Sequence, residues 1–269
     1  TGVVKKHDEA KDLWVIKFWE MVQLAKIDFP RCTFPITSKY TEHIVVSLSD
    51  MGKIGKLQCF YSLKKISKDN YHVQLIYSKS QLGDKRSVPC QELDSMNEAA
   101  INLDRICTCF EKVDRRAMLV DSTPCIYWLS KDPVQLNTFH RLKVMNILRN
   151  CNKKDIFHLP TNYNSSDVGT KSPVDLNHFL PGSFFSKGPD ILKFGIDGCM
   201  ERSYIKSIDE VLLNPAVKAA TDDGFTHPHE PKVFNIAGIQ GAGSSKAIEG
   251  GLTCGCLLYT SDAADDGYR

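Results

Sequence analysis

The stretch RRAMLVDSTPCIYWLSKD, residues 115–132, contains the transition that sets the fold of this chain. Its first part is a short apolar run with two arginines before it and Asp121 after it, a pattern typical of a buried β-strand. Its second part, with Pro124 near its start, has the composition of a short helix. A buried strand that leads directly into a helix is typical of an α/β domain, in which such strands pair in parallel.

Three further strands are predicted on the N-terminal side of this stretch. Residues 43–48 (HIVVSL) form a β-branched run that ends at Ser49 and Asp50, and residues 56–65 and 71–80 follow after short connections. Short connections between consecutive strands are typical of an antiparallel meander. A long helix then begins at Pro89, because apolar residues recur at helical spacing after it.

On the C-terminal side, helices and strands alternate. Residues 136–150 have the pattern of a helix, residues 155–160 (DIFHLP) form a strand that ends at proline, and residues 162–171 (NYNSSDVGTK) begin another helix. We therefore predict an α/β fold with helices flanking a five-stranded mixed sheet. Three antiparallel strands come first, and two strands are added in parallel beside the first one.

The composition is that of an ordinary folded domain, with 42% hydrophobic and 25% charged residues. No run of about 18 apolar residues is present, so we predict no transmembrane segment. Residues 1–195 carry 28 basic and 21 acidic side chains, whereas residues 196–269 carry 6 and 11. The basic excess of the first part suits a polyanionic partner, but lysines scattered over a solvated surface would give the same count.

Ten cysteines are spread along the chain without any C-x-x-C pair. The two C-x-C pairs lack His or Cys partners at the spacing of a zinc finger. We therefore predict reduced and mostly buried thiols, as in an intracellular protein.

Four acidic residues fall at element ends, where open α/β sheets place their sites. Asp50 ends the first strand, Glu92 lies in the first turn of the long helix, Asp121 ends the fourth strand and Asp167 starts the last helix. Carboxylates clustered in this way repel one another unless divalent cations neutralise them, and Mg²⁺ prefers such oxygen ligands. Two such ions can drive an in-line phosphoryl displacement. Each acid taken singly is better explained as a helix cap or a solvated surface residue than as a metal ligand.

Residues 42–192 resemble the ribonuclease H domain of Pao/BEL-type retrotransposon polyproteins. The resemblance rests on the strand that carries Asp50 and on four motifs in order, which are KS…VPCQEL (79–93), LVDSTPCIYWLSKD (119–132), IFHLPTNYNSSDVGTK (156–171) and PGSFFSKGPDIL (181–192). Upstream, FWEMVQLAKIDFPR (18–31) is similar to the end of the polymerase connection segment. The chain departs from the family at Asp50-Met51-Gly52, where Asp-Ala-Ser is common.

This resemblance implies a ribonuclease H-like fold and an endonuclease that hydrolyses the RNA strand of RNA/DNA hybrids with two Mg²⁺ ions, for which Mn²⁺ can substitute. It implies that Asp50 bridges both metals, that Glu92 and Asp121 complete the site of the leaving-group metal, and that Asp167 completes the site of the metal that holds the attacking water. Ser122 and Asn164 match polar family positions that could touch the hybrid backbone, and capping of a helix or turn is an equal alternative.

The expected partners are an RNA/DNA hybrid and the reverse transcriptase domains of the same polyprotein, with no membrane. The expected location is the cytoplasm, within a retrotransposon particle. A second hypothesis is a decayed or domesticated domain that binds nucleic acid or braces a polymerase without catalysis. All four acids favour the enzyme, whereas the altered loop after Asp50 favours the alternative.

Four parts of the chain are predicted. Residues 1–35 are predicted to end the reverse transcriptase thumb or connection segment, and residues 36–195 to form the ribonuclease H-like domain. Residues 196–255 are rich in Gly, Pro and polar residues and are predicted to form a flexible tail, and residues 200–269 are predicted to bury little apolar surface against the domain. Residues 256–269 (CLLYTSDAADDGYR) resemble the translated adapter of a sequencing library.

Overall fold

A mixed six-stranded sheet with the strand order β3-β2-β1-β4-β5-β6 forms the centre of the domain. The structure is a computed structural model and describes residues 40–52, 55–68, 70–83, 86–170 and 176–214. The strands are β1 (His43–Met51), β2 (Gly55–Ser67), β3 (Asn70–Leu82), β4 (Arg115–Val120), β5 (Ile156–His158) and β6 (Lys206–Ser207). The predicted segment at residues 1–35 lies outside the described residues.

The first five strands confirm the predicted fold class. Antiparallel pairs join β1 to β2 and β2 to β3, and parallel pairs join β1 to β4 and β4 to β5. Strand β1 is central and buried on both faces, since Val45 belongs to one hydrophobic cluster while Val46 and Leu48 belong to the other. This burial explains why β1 reads as a continuous apolar run rather than an alternating one.

Within the residues that the structure describes, six helices flank the sheet: α1 (Val88–Thr108), α2 (Thr123–Ser130), α3 (Thr138–Asn150), α4 (Phe184–Lys187), α5 (Gly195–Glu201) and α6 (Ile208–Leu212). Helix α1 begins after Ser87 with proline in its first turn. Its side chains Leu93, Met96 and Leu103 pack into the hydrophobic cluster that contains Val45, called the first cluster below. In the described part of the chain, no helix is long and apolar enough to cross a membrane. All seven cysteines of that part are free thiols, and four of them are buried.

The prediction of a flexible tail from residue 196 is wrong for residues 196–213. These residues form α5, β6 and α6, and they bury Ile196, Cys199, Ile205, Ile208 and Val211. Strand β6 adds to the sheet through an antiparallel pair with β5, which gives the short β5 a hydrogen-bonded neighbour on its outer side. The composition wrongly predicted flexibility, because a few buried apolar residues are enough to hold so short a segment against the domain. Residues 215–255, and the adapter-like residues 256–269, lie outside the described part.

The helix predicted from residue 162 is also corrected. The chain forms two short 3-10 turns there, Thr161–Tyr163 and Ser165–Gly169, and residues 171–175 are not described. The side chain of Asn164 accepts a hydrogen bond from the backbone N–H of Ser166, 3.1 Å away. Such local side-chain bonds compete with a regular helix, and Gly169 disfavours one further.

Candidate active site

The ends of β1 and β4 place Asp50 and Asp121 side by side at one edge of the sheet. The two strands run parallel, with Leu48 opposite Leu119, so Asp50 and Asp121 lie at matching positions two residues further on. Both carboxylates are half-buried. Carboxyl ends of neighbouring parallel strands are where open α/β sheets place their sites.

Helix α1 brings Glu92 to the same edge, in its second turn rather than in the first turn that the sequence predicted. Ser122 Oγ, at the N-cap of α2, donates a hydrogen bond of 2.6 Å to Glu92 Oε2. Burial raises the pKa of Glu92 to about 7, the Ser122 hydrogen bond opposes this, and the charges of Asp121 and Asp50 add to it. Glu92 is therefore electrostatically coupled to the two strand-end acids.

The remaining acid, Asp167, lies in the 3-10 turn Ser165–Gly169, and its charge acts on Asp121. Burial raises the pKa of Asp121 to about 6, and the charges of Asp50 and Asp167 contribute to the rise. The structure thus places Asp50 and Asp121 at matching strand ends, with Glu92 near both of them and Asp167 near Asp121. In a half-buried site the repulsion between such carboxylates is poorly screened by solvent.

Asn164 is fully buried and connects three parts of the site. Its Nδ2 donates to the carbonyl of Ser49, 3.2 Å away in β1, and a hydrogen bond from its side chain opposes the rise in the pKa of Asp121. Its Oδ1 caps the turn that carries Asp167. Asn164 thereby fixes the ends of β1 and β4 and the turn relative to one another. The capping alternative thus describes both Ser122 and Asn164 in this structure, and their contact with a substrate stays a prediction.

Thr170 and Gly52 are site residues that the sequence analysis missed. The Thr170 hydroxyl hydrogen-bonds to Asp50 Oδ2 and lies 3.1 Å from the carbonyl oxygen of Asp167. The backbone of Thr170 packs so closely on Gly52 that a Cβ at residue 52 would lie 2.1 Å from the Thr170 carbonyl oxygen. Glycine is required at this contact, because any Cβ would collide with the Thr170 backbone.

The donor chemistry of the four acids fits divalent metal ions, which prefer carboxylate oxygens. Within the described ranges, however, no three His, Cys, Asp or Glu side chains are grouped closely enough to hold a metal ion as they stand. Burial, and after it the charges of the neighbouring acids, raise the pKa values of Glu92 and Asp121, and a bound cation would oppose both effects. The acids are therefore assembled around one edge without forming a closed cage.

No family model and no curated protein matches this chain. Among solved structures, it is similar to an N-terminal ribonuclease H domain from Mycobacterium tuberculosis, solved as a fusion with maltose-binding protein (TM-score 0.33, 10% identity, covering 46% of this chain and 87% of that one). It is similar to RNase H1 from Halobacterium salinarum (TM-score 0.30, 11% identity, 47% and 91% covered). It also matches 19% of a foamy viral protease–reverse transcriptase in complex with an RNA/DNA hybrid (TM-score 0.31, 12% identity, 51% of this chain covered).

Proposed function

We propose that this chain is a metal-dependent endonuclease that hydrolyses the RNA strand of RNA/DNA hybrids, as part of a Pao/BEL-type retrotransposon polyprotein. One observation carries the proposal: the parallel pair of β1 and β4 brings Asp50 and Asp121 to one sheet edge, where the charges of Glu92 and Asp167 add to theirs. An arrangement that raises carboxylate pKa values opposes folding, and such perturbed groups cluster at functional sites. Two divalent cations explain all four acids together.

Asp50, Glu92, Asp121 and Asp167 would hold two Mg²⁺ ions, or Mn²⁺ in their place. When bound, such ions activate water for attack and stabilise the oxygen that leaves the phosphodiester. The chain's own contribution is to orient the carboxylates before substrate arrives. Thr170 holds Asp50, Ser122 holds Glu92, and Asn164 holds the strand ends and the turn together. Such supporting hydrogen bonds fix the direction of ligand lone pairs.

Recognition of a hybrid depends on the shape of its A-like groove, its 2′-hydroxyls and its phosphates, rather than on base sequence. Basic side chains that contact phosphates would make affinity fall with rising salt concentration. The upstream resemblance to a polymerase segment supports reverse transcriptase domains of the same polyprotein as partners.

The second hypothesis is a domain that binds nucleic acid without cleaving it. The observation that favours it is the lack of a ready-made three-ligand cluster in the described part of the chain. The two hypotheses agree about binding and differ only about hydrolysis, so a cleavage assay separates them.

The test is cleavage of an end-labelled RNA/DNA hybrid by the full chain, with double-stranded DNA as the control substrate. We expect hydrolysis of the RNA strand with Mg²⁺ or Mn²⁺, and none with a chelator. Ca²⁺ should permit binding but little turnover, because its looser coordination positions water poorly. Binding without metal-dependent cleavage, also after addition of the upstream polymerase domain, would exclude the catalytic proposal in favour of the second hypothesis.

A further inference from the structure

We propose that the loop after α5 together with the first residue of β6, residues 202–206 and called the loop below, is an additional contact for the phosphate backbone of nucleic acid beside the acidic edge. This inference rests on the proposed function, because the partner is the same nucleic acid. It assigns a role in substrate binding to a segment that lies C-terminal to the region of family resemblance. The resemblance ends at residue 192, and no property of the family is carried over to this loop.

The register of the sheet places the loop at the acidic edge. Strand β6 runs antiparallel to β5, with Lys206 opposite His158, and His158 lies opposite Val120 at the end of β4. Strand β6 therefore begins at the edge where β4 ends at Asp121. Adjacent strands lie about 4.8 Å apart, so Lys206 and the residues before it are about two strand spacings, or about 10 Å, from the end of β4.

The loop presents two exposed cations, Arg202 and Lys206. Neither has an acidic partner in an ion pair among the residues that the structure describes. The exposed Glu201 precedes Arg202 and offsets part of this charge, so the loop has a modest positive excess.

A stack of aromatic rings fixes the loop before any partner arrives. Tyr204 packs edge-to-face against Tyr163, with ring centroids 5.7 Å apart, and stacks on Phe194 at 6.1 Å. The Arg202 guanidinium lies 4.2 Å from the centroid of the Phe194 ring, and its Nη1 donates to the Gly198 carbonyl, 3.1 Å away. Tyr163 immediately precedes Asn164, so the stack joins the loop to the site. A cation held in place loses little conformational entropy on binding.

Two phosphate contacts have a measurable signature in salt dependence. Each contact that is lost reduces the slope of log affinity against log salt concentration by about 0.7 to 0.9. We compare the full chain with the double variant Arg202→Gln/Lys206→Gln. The matched control is Lys68→Gln/Lys154→Gln, which removes two exposed cations, one in the turn after β2 and one just before β5, at the opposite edge of the sheet.

We expect the double variant to bind a labelled RNA/DNA hybrid about tenfold more weakly, with a slope smaller by about 1.5, and the control to bind like the unchanged chain. Arg202→Lys should keep the slope, because it retains the charge. If the double variant does not fold, as judged by thermal unfolding, Lys206→Gln alone decides the question, with an expected loss of about 0.8 in slope.

Cleavage is measured in parallel, so that the inference and the proposed function can fail separately. A double variant with an unchanged slope, in a chain that cleaves the hybrid, overturns the loop contact and leaves the nuclease proposal standing. A reduced slope in a chain that binds but does not cleave supports the loop contact and overturns the catalytic proposal. A chain that does not bind the hybrid overturns both.

Discussion

The hydroxyl of Thr170 donates a hydrogen bond to the carboxylate of Asp50, across 120 residues of chain. The same threonine packs its backbone against Gly52, two residues after Asp50. These contacts link the end of β1 to the turn that carries Asp167. Two of the four acids are therefore held at one edge by a residue that is not itself an acid.

Replacement of Thr170 by valine should lower metal-dependent cleavage by about 10- to 100-fold, because loss of a hydrogen bond to a metal ligand typically has this effect. Valine keeps the shape of the side chain and removes only the hydroxyl. Thr170→Ser restores the hydroxyl and should recover most of the activity. The measurement is the cleavage rate as a function of Mg²⁺ concentration, in which Thr170→Val should raise the concentration needed for half-maximal rate. An equal loss of cleavage in Thr170→Val and Thr170→Ser would show that Thr170 acts through its packing and not through its hydroxyl.

Replacement of Asp121 by asparagine should abolish cleavage and also stabilise the metal-free protein. The pKa of Asp121 is raised from 3.8 to about 6, and that of Glu92 from 4.5 to about 7, so ionisation of these groups destabilises the folded state as the pH rises through this window. At pH 8 with a chelator, Asp121→Asn should therefore raise the free energy of unfolding by about 2 kcal/mol.

The stability gain is checked by urea unfolding at pH 4 and pH 8. It should be small at pH 4, where Asp121 in the folded protein is already protonated, and large at pH 8. Mg²⁺ should stabilise the unchanged chain more than the variant. A variant that is less stable than the unchanged chain at pH 8 would contradict the repulsion that we infer.

Replacement of Ser122 by alanine should shift the pH dependence of cleavage toward higher pH. The Ser122 hydrogen bond opposes the rise in the pKa of Glu92, so its loss leaves the acid protonated over a wider range. The variant also loses the cap of α2, which costs about 1 kcal/mol. Ser183→Ala is the matched control, because Ser183 caps α4 in the same way. The control should leave the acid limb of the pH–rate profile where it was, and a shift in both variants would show a general effect of capping.

A chain that ends at residue 195 should be several kcal/mol less stable than one that ends at residue 214. The shorter chain loses β6 and α6, and with them Ile208 and Val211 from the first hydrophobic cluster, and removal of each such buried side chain costs about 2 kcal/mol or more. Urea unfolding of both truncated chains measures the difference. If the two truncated chains are equally stable, the domain ends at residue 195, as the composition predicted.

The amino-acid pattern was sufficient to predict the order of β1 to β5, because the apolar runs and the helix starts at Pro89 and Pro124 depend on local periodicity. It also singled out the four acids, although Glu92 lies in the second turn of α1 and Asp167 lies within the turn Ser165–Gly169 instead of at the start of a helix. It failed for residues 162–171 and 196–213, where short side-chain bonds and a few buried residues decide the outcome.

The tertiary structure decided what holds the acids in place. The contacts of Thr170 with Asp50, of Ser122 with Glu92 and of Asn164 with Ser49 join residues 30 to 120 positions apart. Periodicity describes which face of an element is buried, but it does not specify which side chain at one element end meets another. That choice depends on strand register and on close approaches such as Gly52 against Thr170, and these exist only once the sheet has formed.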